Sequence, residues 1–188
     1  MRESWLSRVA LGYPQTLLMP TAAVGGLIWL WAQTPTSQWA EVPAPWASGL
    51  VVWSLLEYLL HRYVLHHVQP FNAWHLHHHR HPEVPMQTPV LFSLALVLTL
   101  AALPAIVAAD RVWALAFSAG LIAGHWLQEC VHFHLHQRRP PCASWLKSRW
   151  CSHHIHHEGG ELANFGTLTG FWDGIFHTRA QTPIHPSN

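Results

Sequence analysis

Apolar residues gather into four long runs, about Tyr13–Ala32, Trp46–His66, Val90–Ala109 and Val112–His136, separated by stretches rich in proline and histidine. Runs of this length predict helices. Val90–Ala109 is the most continuous, and at ~1.5 Å rise per residue it just spans a ~30 Å hydrocarbon core. Asp110-Arg111 leave room only for a tight turn, so the third and fourth runs form an antiparallel hairpin. The intervening loops, Gln33–Pro45 and His67–Pro89, hold three and four prolines and continue neither neighbour. Met1–Arg8 is mildly basic and leads into the first run. Pro20 interrupts that run and no A-x-A site follows, so it reads as a retained membrane segment rather than a cleaved signal. The pattern therefore predicts a single all-α domain over residues 1–188, integral to a membrane, with about four crossing helices.

Composition supports the membrane. Hydrophobic residues make up 50% and charged residues only 10%, against roughly 25% charged in soluble domains. Tryptophan, at 12 residues, suits the boundary between lipid and water. A net charge of +1 without a basic tract excludes nucleic acid as a partner. Three cysteines without C-x-x-C spacing exclude a disulfide framework and a cysteine zinc site. With a cytoplasmic N-terminus, Arg2, Arg8, Arg62, Arg80, Arg138, Arg139, Lys147, Arg149 and Arg179 all fall inside and only Arg111 outside. The same orientation brings the histidine-bearing ends of the second and fourth runs to the cytoplasmic face.

Histidine supplies the chemistry, with 18 residues in 188. H-x-x-H-H occurs twice, as His75, His78, His79 and as His153, His156, His157. Each copy follows a pair, His61 and His66 or His132 and His136. Residues four apart on a helix share one face, so His132 and His136 converge, and all three members of each triplet can point the same way. His61 and His66, five apart, sit about 140° from each other on a regular helix and converge less well. Neutral imidazole suits zinc, copper, iron and nickel. Ten imidazoles far exceed one tetrahedral site but match two metals with roughly five ligands each. A structural zinc site would not need them, so a metal pair with an open position is the better use. Glu57, four before His61, and Glu129, three before His132, read as outer carboxylates accepting an imidazole N–H. His125 falls on the same face as His132 and reads as lining a substrate entrance. Trp53, Leu56, Trp126 and Phe133 lie beside the histidine faces and could form an apolar slot.

These residues resemble the fatty acid hydroxylase/sterol desaturase superfamily. The likeness rests on Glu57–His66, the triplet closing His78-His79-Arg80-His81-Pro82, His132-Phe133-His134-Leu135-His136, and the block His153–His157 with Asn164-Phe165-Gly166 and Phe171–Phe176. It runs from about Glu57 to Thr178, and the spacing is most similar to the fatty acid 2-hydroxylases. Carried over position by position, it implies His61, His66, His75, His78, His79, His132, His136, His153, His156 and His157 as metal ligands. It further implies a four-helix membrane fold with a cytosolic cap, two irons, O2, an outside electron source and oxygen insertion into a lipid C–H bond. Asp173, in the closing block, binds a histidine ring or caps a helix. The chain departs from the pattern in three ways. Only eight residues separate His66 from His75, His177 stands where the closing motif commonly has Gly, and no cytochrome b5-like domain is seen. Electrons are then expected from a separate protein. Zinc is expected to replace iron readily in purified material.

The leading expectation is an integral-membrane di-iron oxygenase that hydroxylates a fatty acyl chain. Carotenoid or sterol oxidation is the enzymatic alternative. A metal carrier or transporter is the alternative of another class, but it would want ligands near the bilayer midplane. Phe165, Phe171, Trp172 and Phe176 are expected to hold a loop against the site.

Overall fold

The structure is a computed structural model and describes residues 21, 24–26, 28–29, 32–82, 90–107, 110–137, 139–158 and 162–180. Its regular elements are a 3-10 turn (Thr36–Glu41), α1 (Pro43–Leu59), a π-helical turn (Leu60–Leu65), α2 (Phe71–Arg80), α3 (Val90–Val107), α4 (Arg111–Leu135), α5 (Ser144–His157) and the short α6 (Phe171–Ile175). No strand occurs among the described residues, so the expected all-α class holds. The expected first segment, and the turn at Gly159-Gly160, lie largely outside the described residues.

The chain divides into two compact units. The first comprises Met1–Leu56 and Pro85–Cys130, the second Glu57–Val84 and Val131–Asn188. Within the first, α1 and α4 approach backbone to backbone. A Cβ on Gly49 would meet the Phe117 carbonyl at 2.3 Å, and one on Gly120 would meet the Trp46 carbonyl at 2.1 Å, so only glycine permits this crossing. Val42 and Ala116 pack beneath it with Trp46, Val112 and Leu115. Asp110 starts α4, its Oδ1 accepting the Trp113 N–H at 3.0 Å.

Of the four expected crossings, the last three fall on described residues, and none of these is reproduced as a spanning helix. Among the described residues, no helix is long and apolar enough to cross a membrane. Of the three apolar helices, α1 has 17 residues and runs straight on into the π-helical turn, but its last stretch holds Glu57, His61 and Arg62, and α3 has 18 residues, short of a ~30 Å core at ~1.5 Å per residue. The third, α4, has 25 but carries His125, Gln128, Glu129 and His132 in its second half.

Candidate metal centre

All ten histidines of the doubled pattern lie in the second unit. They form two sets of five, His61, His66, His75, His79 and His156, and His78, His132, His136, His153 and His157. Within each set the candidate ligand atoms lie within 4.8 Å of one another. Such a set could hold a metal ion. The sets adjoin, with the His79 and His157 rings stacked at 4.1 Å.

Helical geometry explains the sorting. Successive residues on an α-helix are about 100° apart, so the adjacent His78 and His79 straddle the face of α2. His75 and His79, at i and i+4, enter the first set, and His78 enters the second. On α5 the assignment reverses, with His153 and His157 in the second set and His156 in the first. Each triplet thus divides two to one, where a common direction was expected. The first set is completed by His61 and His66, which a regular helix would separate. The π-helical turn Leu60–Leu65 contains one more residue per turn, so residue i+5 returns to the face of residue i. Their rings stack at 5.2 Å.

The nitrogen spacings test the fit of a metal. His75 Nε2 lies 3.1 Å from His61 Nε2, 3.0 Å from His66 Nε2 and 3.0 Å from His79 Nε2. In the second set His136 Nε2 lies 3.0 Å from both His132 Nε2 and His153 Nε2. Nitrogens ~2.1 Å from one cation are ~3.0 Å apart at a right angle and ~3.4 Å apart at the tetrahedral angle. The observed values match right angles better than tetrahedral ones. One His75 nitrogen also cannot share protons with three neighbours at once. Converging lone pairs of this kind repel unless a cation lies among them, so both sets fit a metal.

Burial favours the neutral form of several of these imidazoles. Burial, reinforced by His156, His66 and His78, pulls His79 down to about 3. Burial and neighbouring histidines likewise lower His75, His153 and His157 well below the ordinary range. At neutral pH each therefore offers a lone pair.

The loop Ala163–Thr167 orients part of the first set. His61 Nδ1 donates to the Phe165 carbonyl at 2.5 Å and His156 Nδ1 to the Ala163 carbonyl at 2.7 Å, which leaves both Nε2 atoms as acceptors. The fully buried Phe165 ring lies 5.8, 5.5 and 5.6 Å from the rings of His61, His66 and His156. Two carboxylates tie this loop down. Asp173 accepts the N–H groups of Phe165 at 2.8 Å and Gly166 at 3.0 Å, and the Thr178 hydroxyl at 2.9 Å. Glu57 accepts the N–H of Thr167 at 2.6 Å and its hydroxyl at 2.5 Å. Asn164, at φ 55°, takes the left-handed turn that Asn tolerates. A Cβ on Gly166 would meet the Thr169 carbonyl at 2.1 Å.

The other expected site residues are placed differently. The contacts of Glu57 and Asp173 run to the loop, which in turn supplies carbonyls to the histidines. Glu129 lies in the first unit and interacts with His125 and Cys130. The Trp53 and His125 rings pack at 4.7 Å in that unit, Trp126 is exposed, and Phe133 stands edge-on to His134 in the second unit. Ala163, Thr167 and Arg149 were not foreseen. The first acts only through its carbonyl, which leaves no trace in residue type. Arg149 donates to the Gly166 carbonyl at 3.5 Å and fills the space beside Gly170.

A family profile described as fatty acid hydroxylase matches residues 46–178. The chain is 31% identical to the fatty acid 2-hydroxylase of Homo sapiens over 156 residues, covering 77% of this chain and 41% of the relative. It is also 31% identical to a dihydroceramide fatty acyl 2-hydroxylase of Arabidopsis thaliana over 150 residues, 70% of this chain and 59% of the relative. The chain spans about two-fifths of the length of the mammalian relatives it matches. The fold is similar to the hydroxylase domain visible in full-length Scs7p, with a TM-score of 0.72, 23% identity, and coverage of 94% of this chain and 69% of that one.

Proposed function

The chain belongs to the fatty acid hydroxylase family, and from that premise we propose that it is a membrane-bound, O2-dependent hydroxylase of a lipid acyl chain, working with two irons per chain. One observation carries the reading. Ten imidazoles and no carboxylate form two adjoining five-nitrogen sets at right-angle spacing. His61, His66, His75, His79 and His156 would hold one iron, and His78, His132, His136, His153 and His157 the other. When bound, the iron pair supplies O2 activation and attack on an unactivated C–H bond. The balance is O2, the C–H substrate, two electrons and two protons giving the alcohol and water. The electrons come from a separate electron-transfer protein.

The residues themselves bind, orient and exclude water. Burial keeps His79 neutral, so its lone pair meets the metal without a proton being removed first. The Phe165 and Ala163 carbonyls set the tautomers of His61 and His156. Phe165 keeps water from the outer side of the first set. Exposed Val51 on α1, Leu98, Leu103, Ile106 and Val107 on α3, and Leu127 on α4 favour contact with the bilayer. With the basic loops inside, the histidine-bearing helix ends face the cytoplasm. The substrate class follows the fatty acyl chains named in the relatives. Trp53, His125, Trp126 and Phe133 remain our proposed lining of the acyl path, and Glu129 a proposed outer carboxylate.

The test is lipid profiling of cells expressing the chain under 18O2. Acyl chains one labelled oxygen heavier, lost with His78→Ala, are the expected result. Labelled sterols or carotenoids instead would overturn the acyl assignment. Metal flux without O2 dependence would overturn the enzyme.

A further inference from the structure

The two sets have the same ligands but different surroundings. The first is closed by the Phe165 ring and tied by two carbonyl acceptors on the Asp173- and Glu57-clamped loop. The second borders a cavity of about 250 Å³ lined in part by His136, His153, His157 and Glu158. Among the described residues, buried Nδ1 atoms without a hydrogen-bond partner occur in both sets, on His75 and His79 in the first and on His153 and His157 in the second, so the sets differ in the two carbonyl acceptors of the first and the cavity beside the second. An outer acceptor fixes ring orientation and raises ligand basicity, and its loss typically costs about 10- to 100-fold in metal affinity.

We infer that the two sets hold metal with unequal grip: the second set releases its ion readily through the cavity, and Asp173, acting through the Ala163–Thr167 loop, is the positioning residue that makes the first set retentive. Asp173 touches no histidine in this scheme. It holds the N–H groups of Phe165 and Gly166, and that fixes where the Phe165 and Ala163 carbonyls point. Thr167, bound to Glu57, anchors the far end of the same loop. The inference rests on the dinuclear reading above.

The test uses the chain in detergent, loaded with Zn2+ and challenged with excess dipicolinate, with retained zinc counted by elemental analysis over time. Two ions per chain leaving in two phases are expected. His153→Ala should remove the fast phase and leave the slow one. Asp173→Asn should speed the slow phase about tenfold or more with the fast phase unchanged. Should Asp173→Asn lose its helical circular dichroism, Thr167→Val takes its place, with a smaller acceleration of the slow phase alone. Two ions leaving at one rate would overturn the inference while sparing the dinuclear reading. So would an equal speeding of both phases, or a Thr167→Val profile like that of the parent. Fewer than two ions bound would overturn both.

Discussion

The two histidine sets are matched in what they draw from the chain and unmatched in what surrounds them. Each takes one spaced pair, two residues of one triplet and one of the other. The first is closed off by a loop that contributes no candidate ligand of its own, and the second faces a cavity. The sorting of the histidines follows from helical spacing, whereas the closure of the first set is made by the Ala163–Thr167 loop with Glu57 and Asp173, and the cavity beside the second is lined by Pro82, Gln137, His154 and Glu158 along with its histidines. Two sites of identical donor chemistry can in this way be given different properties.

The largest effect separates the sets by their ligands. His78→Ala removes a nitrogen from the second set and His156→Ala one from the first. Each should lower bound metal from two ions per chain to about one and abolish hydroxylation, as read by elemental analysis and product mass. Loss of both ions from either variant would show that the sets are one indivisible unit.

Gly166→Ala comes next, since its Cβ has no room beside the Thr169 carbonyl. Displacing the loop should cost about 2 kcal/mol of stability or more, seen as a lower unfolding midpoint. Weakened zinc retention should be confined to the first set.

Acidification probes both sets together. His79 is held near 3 in the fold and returns to about 6.5 when unfolded, so between those values the unfolded chain binds more protons. The apo protein should be most stable above about pH 6.5 and lose stability steadily as the pH falls toward 3. Thermal unfolding of metal-free chain from pH 7.5 to 5 measures this. A flat profile would mean that the rings are solvated.

The smallest effect lies at the end of the loop. His177 has φ 54°, a left-handed conformation that disfavours any side chain. His177→Gly should raise stability by up to about 1 kcal/mol and leave zinc release from both sets unchanged. An altered release rate would give His177 a part in the site.

Much of this centre is legible in the chain. The i, i+4 spacings and the doubled H-x-x-H-H pattern mark the same ten histidines that the fold brings together. What eluded reading has physical causes. Residue types do not announce a π-turn, so the convergence of His61 and His66 was underestimated. The 100° step between neighbours sends His78 and His79 to different sets, a division hidden while the triplet is treated as one face. The acceptors for His61 and His156 are backbone carbonyls, so the nearby carboxylates drew notice instead. The apolar runs are legible as helices. Their reach is not, because α1 and α4 both turn polar before the helical segment ends.

The most direct test is anomalous diffraction from crystals of the metal-loaded chain. Two peaks are predicted, one among His61, His66, His75, His79 and His156 and one among His78, His132, His136, His153 and His157, each with about five nitrogen neighbours. Zinc at these positions would count as well as iron, since both bind imidazole. A single peak, or an ion bound by histidines drawn from both sets, would contradict the account.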